Sequence, residues 1–139
     1  MQRIIIDTNV LVSALIQRNY PFFIVYNYVF ENLVELCISS DLFEEYLEVL
    51  NRPKFRKYPD FINKAELIIA QIESKALKFE PVQRLSIIKD DADNRLLELA
   101  EASQADFLIT GNTNDFTMSH FQRTKIVSPK DYWDFFNTY

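Results

Sequence analysis

The chain has 139 residues, 48% hydrophobic and 25% charged, and its 15 basic and 20 acidic side chains give a net charge of −5. That length suits a single globular domain spanning residues 1–139, and the 12 Phe and 7 Tyr exclude a disordered chain. The acidic balance excludes wholesale electrostatic binding to nucleic acid, though not a local basic patch.

No apolar run approaches the roughly 18 residues that would cross a bilayer, so no membrane role is expected. Met1–Asp7 has too short an apolar stretch for a signal peptide. Cys37 is alone in the sequence and lies between Leu36 and Ile38. It reads as a small buried hydrophobe, in keeping with a reducing cytoplasm. Gly111 is the only glycine where about ten would be usual, which suggests a backbone position with a strict steric requirement.

In chain order, Arg3-Ile4-Ile5-Ile6 is an apolar run stopping at Asp7, as expected of a parallel strand buried on both faces. Val10, Leu11, Ala14 and Leu15 then fall at helical spacing, and Pro21 opens a second helix to about Phe30. Leu33–Ile38 reads as a strand, and Ser39-Ser40-Asp41 offers caps for a helix ending near Arg52-Pro53. Arg52–Pro59 is a basic, aromatic loop. Asp60 or Asn63 can cap a helix to about Ser74, and Lys78–Glu80 is a possible short strand.

Asp90-Asp91 precedes a helix over Ala92–Gln104. Phe107-Leu108-Ile109-Thr110 is another buried strand, closed by Gly111. Ile126-Val127 is the next, and Ser128-Pro129 opens a last helix through Phe135. Strands alternating with helices predict an α/β domain, a three-layer α/β/α sandwich around a central parallel sheet.

In an open parallel sheet, ligands gather outside the carboxyl ends of the strands. Asp7 and the turn Gly111-Asn112-Thr113-Asn114-Asp115 both follow strands, so both belong on that rim. On a helical wheel, Leu42, Phe43, Tyr46, Val49 and Leu50 form an apolar face. Glu45 sits at its border, placed either to look into a cleft or to lie on a solvated flank. Asp93 falls inside the stripe of Ala92, Leu96, Leu97, Leu99 and Ala100. Asp91 and Asp93 can serve the helix N-terminus, but capping alone does not explain an acid on the core side. A cation would resolve the cost. Oxygen ligands without His or Cys companions favour Mg²⁺ or Mn²⁺, whose natural chemistry here is phosphodiester hydrolysis.

Four segments in this order, Ile4-Ile5-Ile6-Asp7-Thr8-Asn9-Val10-Leu11, Ser40–Leu50, Asp91-Ala92-Asp93-Asn94 and Thr110-Gly111-Asn112, resemble the PIN domain. The likeness is to short, stand-alone VapC-like toxins of toxin–antitoxin pairs. It implies a flavodoxin-like sandwich and a metal-dependent endoribonuclease. By position Asp7, Glu45 and Asp93 correspond to the family's most constant acids. Asn112 stands where many members carry a fourth acid, and Asp115 is placed to compensate as a ligand. Thr8, Asn9, Thr110 and Gly111 resemble supporting positions around the metal, with Gly111 letting the backbone turn sharply. The resemblance also implies an RNA substrate, a small antitoxin partner, a homodimer and a cytoplasmic location.

Arg52-Pro53-Lys54-Phe55-Arg56-Lys57-Tyr58 offers Arg52, Lys54, Arg56 and Lys57 as RNA phosphate contacts with aromatics for stacking, or a solvated loop with its aromatics turned inward. Arg18 and Tyr20 are candidates to flank the rim. His120 reads as a surface or packing residue. Trp133, Phe135 and Phe136 read as packing on the sheet or as part of a dimer or antitoxin surface. Three alternatives are a DNA flap nuclease, for which the chain lacks room, a phospho-acceptor domain, whose acid pair and lysine are missing, and a degenerate PIN domain that binds RNA or protein without cleaving.

Overall fold

A computed structural model describes residues 1–136; Asn137, Thr138 and Tyr139, the end of the expected 1–139 domain, lie outside the described residues. Six strands form one sheet: β1 (Arg3–Ile6), β2 (Glu35–Ile38), β3 (Leu77–Lys78), β4 (Phe107–Ile109), β5 (His120–Phe121) and β6 (Thr124–Val127). Their spatial order is β3-β2-β1-β4-β6-β5, and every pairing is parallel except β5 with β6. The helices are α1 (Thr8–Ile16), α2 (Tyr20–Phe23), α3 (Ser40–Leu50), α4 (Phe61–Lys75), α5 (Asp91–Ser103) and α6 (Pro129–Asp131). The architecture is therefore the expected one, a central, mostly parallel sheet flanked by helices.

The isoleucine run explains why β1 lies inside the sheet. Ile4, Ile5 and Ile6 are all buried, with Ile4 paired to both Leu36 and Phe107. A strand with a neighbour on each side and helices over both faces has no polar environment for its side chains, so alternation is lost. Ile6 pairs with Ile109, so β1 and β4 end side by side. Cys37 is buried as expected, and burial pushes its thiol up to about 11.

Several boundaries differ from the sequence reading. The helix opened by Pro21 is α2 for one turn and then widens into π turns over Ile24–Val29. Apolar spacing does not separate these from an α-helix. β2 begins at Glu35 rather than Leu33, because Asn32 takes a left-handed conformation (φ 60°) ahead of it. β5 was not anticipated: two residues are too few to show a period. It joins β6 through Gln122 at φ 51°. The last helix is a single α turn followed by π turns over Tyr132–Phe136. Trp133 stacks on Tyr28 and Phe136 packs against Phe107, whereas Phe135 is exposed.

The wheel for α5 needs a larger correction. Ala92 is exposed, while Asn94 (1% exposed) and Glu98 (2%) are buried with Leu96, Leu97, Leu99 and Ala100. Neither is part of the apolar stripe, and both are satisfied inside by hydrogen bonds to the chain segment over residues 85–88.

Candidate active site

Asp7 is built by the junction of β1 and α1. Its backbone N–H donates to the Ile109 carbonyl (2.9 Å), and its side chain caps α1 by accepting from the Thr8 N–H (2.7 Å). The second carboxylate oxygen accepts from the Thr110 hydroxyl (2.7 Å) at the end of β4. Burial raises the Asp7 carboxyl above its ordinary value, opposed by the bonds from Thr110 and Thr8 and reinforced by the charges of Glu45 and Asp90.

Glu45 comes from the second turn of α3, which Ser39 caps by accepting from the Leu42 N–H (3.1 Å). Its carboxylate accepts a short hydrogen bond from the Thr8 hydroxyl, so the side chain faces the end of β1 and not a solvated flank. The next residue fastens the helix there. Tyr46, fully buried, donates its hydroxyl to the Ile6 carbonyl (2.5 Å). Burial, then the charges of Asp7 and Glu45, hold its phenol well above the ordinary range. The sequence placed Tyr46 on an apolar face, and its polar end was missed.

Asp93 stands in the first turn of α5, half-buried at the rim rather than in the core. Its carboxyl is pushed up to about 6, chiefly by burial and then by the charges of Asp90, Asp7, Asp115 and Glu45. Those causes outline the site: acids from three other chain segments, with Asp90 of its own, bear on Asp93. Asp90 was not foreseen as a member. It, rather than Asp91, caps α5, accepting from the Asp93 N–H (3.1 Å). The signal was available, since a capping aspartate three residues before a polar first-turn residue is an N-terminal signature.

The turn after β4 carries the other candidates. Asn112 precedes a single 3₁₀ turn, Thr113–Asp115, closed by the Asp115 N–H donating to the Asn112 carbonyl (3.0 Å). Asn112 also donates its backbone N–H to the Thr110 hydroxyl (3.1 Å), tying the turn to Asp7 through one oxygen. Gly111 does not meet the expected steric requirement. Its φ is not positive, and an added Cβ would meet only the Asn9 side chain at 3.8 Å, an ordinary contact.

Comparison with known proteins completes this picture. A family model described as "PIN domain" matches residues 3–114. The chain belongs to the PIN-domain family. An uncharacterized protein of Methanocaldococcus jannaschii is 26% identical over a 145-residue alignment covering 99% of this chain and 93% of that one. Among solved structures, a chain of VapBC2 from Rickettsia felis, bound to a DNA fragment from their promoter, superposes with a TM-score of 0.58. It is 14% identical and the match covers 91% of this chain and 98% of that one. A chain of FitAB bound to a DNA fragment gives 0.54, also at 14% identity, over 98% and 99%. At that identity the likeness is one of fold.

Whether this PIN domain suits a metal ion turns on its donor set. Among the described residues, no three His, Cys, Asp or Glu side chains converge closely enough to cage one ion. Asp7 and Glu45 already accept hydrogen bonds from Thr110, Thr8 and the backbone. The donors are nonetheless all hard oxygens, and burial, with a smaller push from neighbouring acids, raises Asp7 and Asp93. Mg²⁺ commonly keeps several waters and takes one or two carboxylates directly, so a rim of spaced acids suits it better than it would suit Zn²⁺.

The basic segment lies past the end of α3, whose last residue is about 8 Å beyond Glu45 along the helix axis at ~1.5 Å per residue. It forms a 3₁₀ turn over Pro53–Lys57. Its aromatics turn inward, Phe55 stacking on Phe61 at 5.3 Å, which is the solvated-loop alternative for those rings. The four cations are exposed. Arg52 pairs with Glu48 (2.9 Å), and Lys54 and Lys57 lie over the rings of Phe55 and Tyr58. Arg52 and Arg56 also rim a pocket of about 210 Å³ floored by Leu50, Phe61 and Ile69. Arg18 rests over Phe22, and Tyr20 lies near Lys130. His120 is exposed on β5 beside Ser119.

Proposed function

We propose that this PIN domain is a metal-dependent endoribonuclease, the toxin of a toxin–antitoxin pair. The observation that carries the reading is the meeting of Asp7, Glu45 and Asp93, with Asp90 and Asp115, at the carboxyl ends of β1 and β4. On this reading Asp7, Glu45, Asp93 and Asp115 would hold Mg²⁺ or Mn²⁺, with the Asn112 side chain beside them. A bound ion of this kind makes water a better nucleophile and offsets the charge developing on phosphoryl oxygens. Thr8 and Thr110 orient the Glu45 and Asp7 carboxylates, while Asn9 and Gly111 form the adjoining wall. Arg52, Lys54, Arg56 and Lys57 hold the RNA backbone.

The fold shared with chains of the VapBC2 and FitAB complexes supports a small antitoxin as partner. A homodimer, which would lengthen the RNA groove, and a cytoplasmic location belong to the same reading. Among the described residues no helix is long and apolar enough to cross a membrane.

The test is cleavage of a mixed RNA pool by purified protein with Mg²⁺, Mn²⁺ or EDTA, beside Asp7→Asn and Asp93→Asn variants checked for folding. Metal-dependent cleavage lost in both variants supports the assignment. RNA binding without cleavage under any metal replaces it with the degenerate binding module, the reading favoured by Asn112. Cleavage surviving both substitutions places the site elsewhere.

A further inference from the structure

Residues 84–88 belong to no helix or strand, and their peptide groups are held by side chains of α5. Asn94 accepts from the Ile87 and Ile88 N–H groups (both 3.0 Å) and donates to the Ile88 carbonyl (2.8 Å). One turn further on, Glu98 accepts from the Leu85 N–H (2.7 Å) and is paired with Arg95 (2.9 Å) and Arg84 (3.3 Å). Arg95 in turn donates to the Leu85 carbonyl (3.0 Å). Arg84 reaches across to Asp41 (2.8 Å) in the first turn of α3, the helix that carries Glu45.

Two buried polar side chains thus hold the peptide groups of an irregular segment whose Ile88 and Leu85 side chains pack on the core. That segment ends two residues before Asp90. Asp90 caps α5 through the Asp93 N–H, and its charge bears on both Asp93 and Asp7. Asn94 and Glu98 lie on the same helix as Asp93. The clasp therefore closes a small ring, from Asp93 along α5 to Asn94 and Glu98, across to residues 85–88, and back through Asp90.

We propose that Asn94 and Glu98 are positioning residues that set Asp90 and Asp93 for divalent-cation binding by clasping residues 85–88 to α5. This rests on the metal-dependent reading given above. Groups that orient metal ligands from behind typically change affinity by roughly 10–100-fold when removed. Loss of the clasp frees the chain entering Asp90, so the two acids no longer share a fixed separation.

The experiment is Mn²⁺ binding to the whole chain, measured calorimetrically without RNA, together with amide hydrogen exchange at Leu85, Ile87 and Ile88. Wild type is compared with Asn94→Ala, Glu98→Gln and, as a matched destabilised control remote from the clasp, Ile126→Val. The expected result is faster exchange at Ile87 and Ile88 in folded Asn94→Ala, with Mn²⁺ bound at least tenfold more weakly. Glu98→Gln, which keeps the acceptor for Leu85 and loses the charge, should fall between it and wild type and stands in if Asn94→Ala does not fold. Ile126→Val should bind Mn²⁺ as wild type does. Unchanged Mn²⁺ affinity in a variant whose clasp amides exchange faster overturns the proposal and leaves the metal site standing. Wild-type protein that binds no Mn²⁺ overturns the metal reading, and the proposal with it.

Discussion

Thr110 gives its hydroxyl proton to Asp7 at 2.7 Å and accepts the Asn112 N–H at 3.1 Å. One buried oxygen thus ties the end of β1 to the turn after β4. Both lone-pair and proton directions of that hydroxyl are used, so its orientation is fixed. Thr110→Val keeps the shape and removes both bonds. The Asp7 carboxylate then loses a donor, and its carboxyl should rise further. We expect a stability loss of about 1–3 kcal/mol. On the nuclease reading proposed above, the acid limb of the pH–cleavage profile should shift to higher pH. Chemical denaturation and a pH–rate series check the two parts separately.

Asp93 makes the metal-free protein pH-sensitive in a direction opposite to the common one. Its folded carboxyl is raised to about 6, so ionisation opposes folding. The contribution is fully favourable below the ordinary carboxylate range near pH 4 and is lost as pH rises through about 6. Melting temperature in EDTA should therefore fall between pH 4 and 7. Asp93→Asn should flatten that slope and melt higher at pH 7 by roughly 2–5 °C. Calorimetric scans of both proteins across pH decide it, and a melting temperature that climbs over this range would contradict the assignment.

Tyr46→Phe tests how α3 is fastened. The substitution leaves the Ile6 carbonyl without its partner in a fully buried place, a loss of about 1–3 kcal/mol. Because Glu45 precedes Tyr46, cleavage should fall by more than the unfolded fraction accounts for. Activity measured well below the melting temperature separates the two effects.

Gly111→Ala should be harmless. The added methyl would meet only Asn9 at 3.8 Å, and the backbone there is open to any residue. Replacing glycine also reduces the freedom of the unfolded chain, so a gain of about 0.4–1 kcal/mol is expected. A loss above 1 kcal/mol by urea titration would show that the position is tighter than this geometry.

Asn112→Asp adds a sixth acid beside the same rim. Like charges drive one another's carboxyls up unless a cation lies among them. The variant should melt lower in EDTA, gain more from added Mn²⁺ than wild type, and reach half-maximal cleavage at a lower metal concentration. Thermal shift against Mn²⁺ concentration reads this out directly.

What the sequence made legible was whatever periodicity and strand ends control. Ile4-Ile5-Ile6 marked an inner strand, and Asp7 followed from the rule that parallel strands present their carboxyl ends to a common rim. Glu45 was left between cleft and flank because a wheel gives angle and not reach; its hydrogen bond with Thr8 is a tertiary fact. Asn94 and Glu98 lay outside the apolar stripe, and no periodic signal reveals that a distant loop supplies buried partners for them. Asp90 was passed over for Asp91, since either of two adjacent aspartates satisfies a capping pattern. β5 and the π turns lie below the resolution of any periodic signal.

The two ends of the sheet are each closed by a strand only two residues long, β3 on one side and the antiparallel β5 on the other. Long, flat outer strands invite edge-to-edge pairing between molecules, and these offer almost no ladder to extend. A sheet of this shape is finished at its own borders. Self-association of this PIN domain by extension of its sheet is thereby disfavoured.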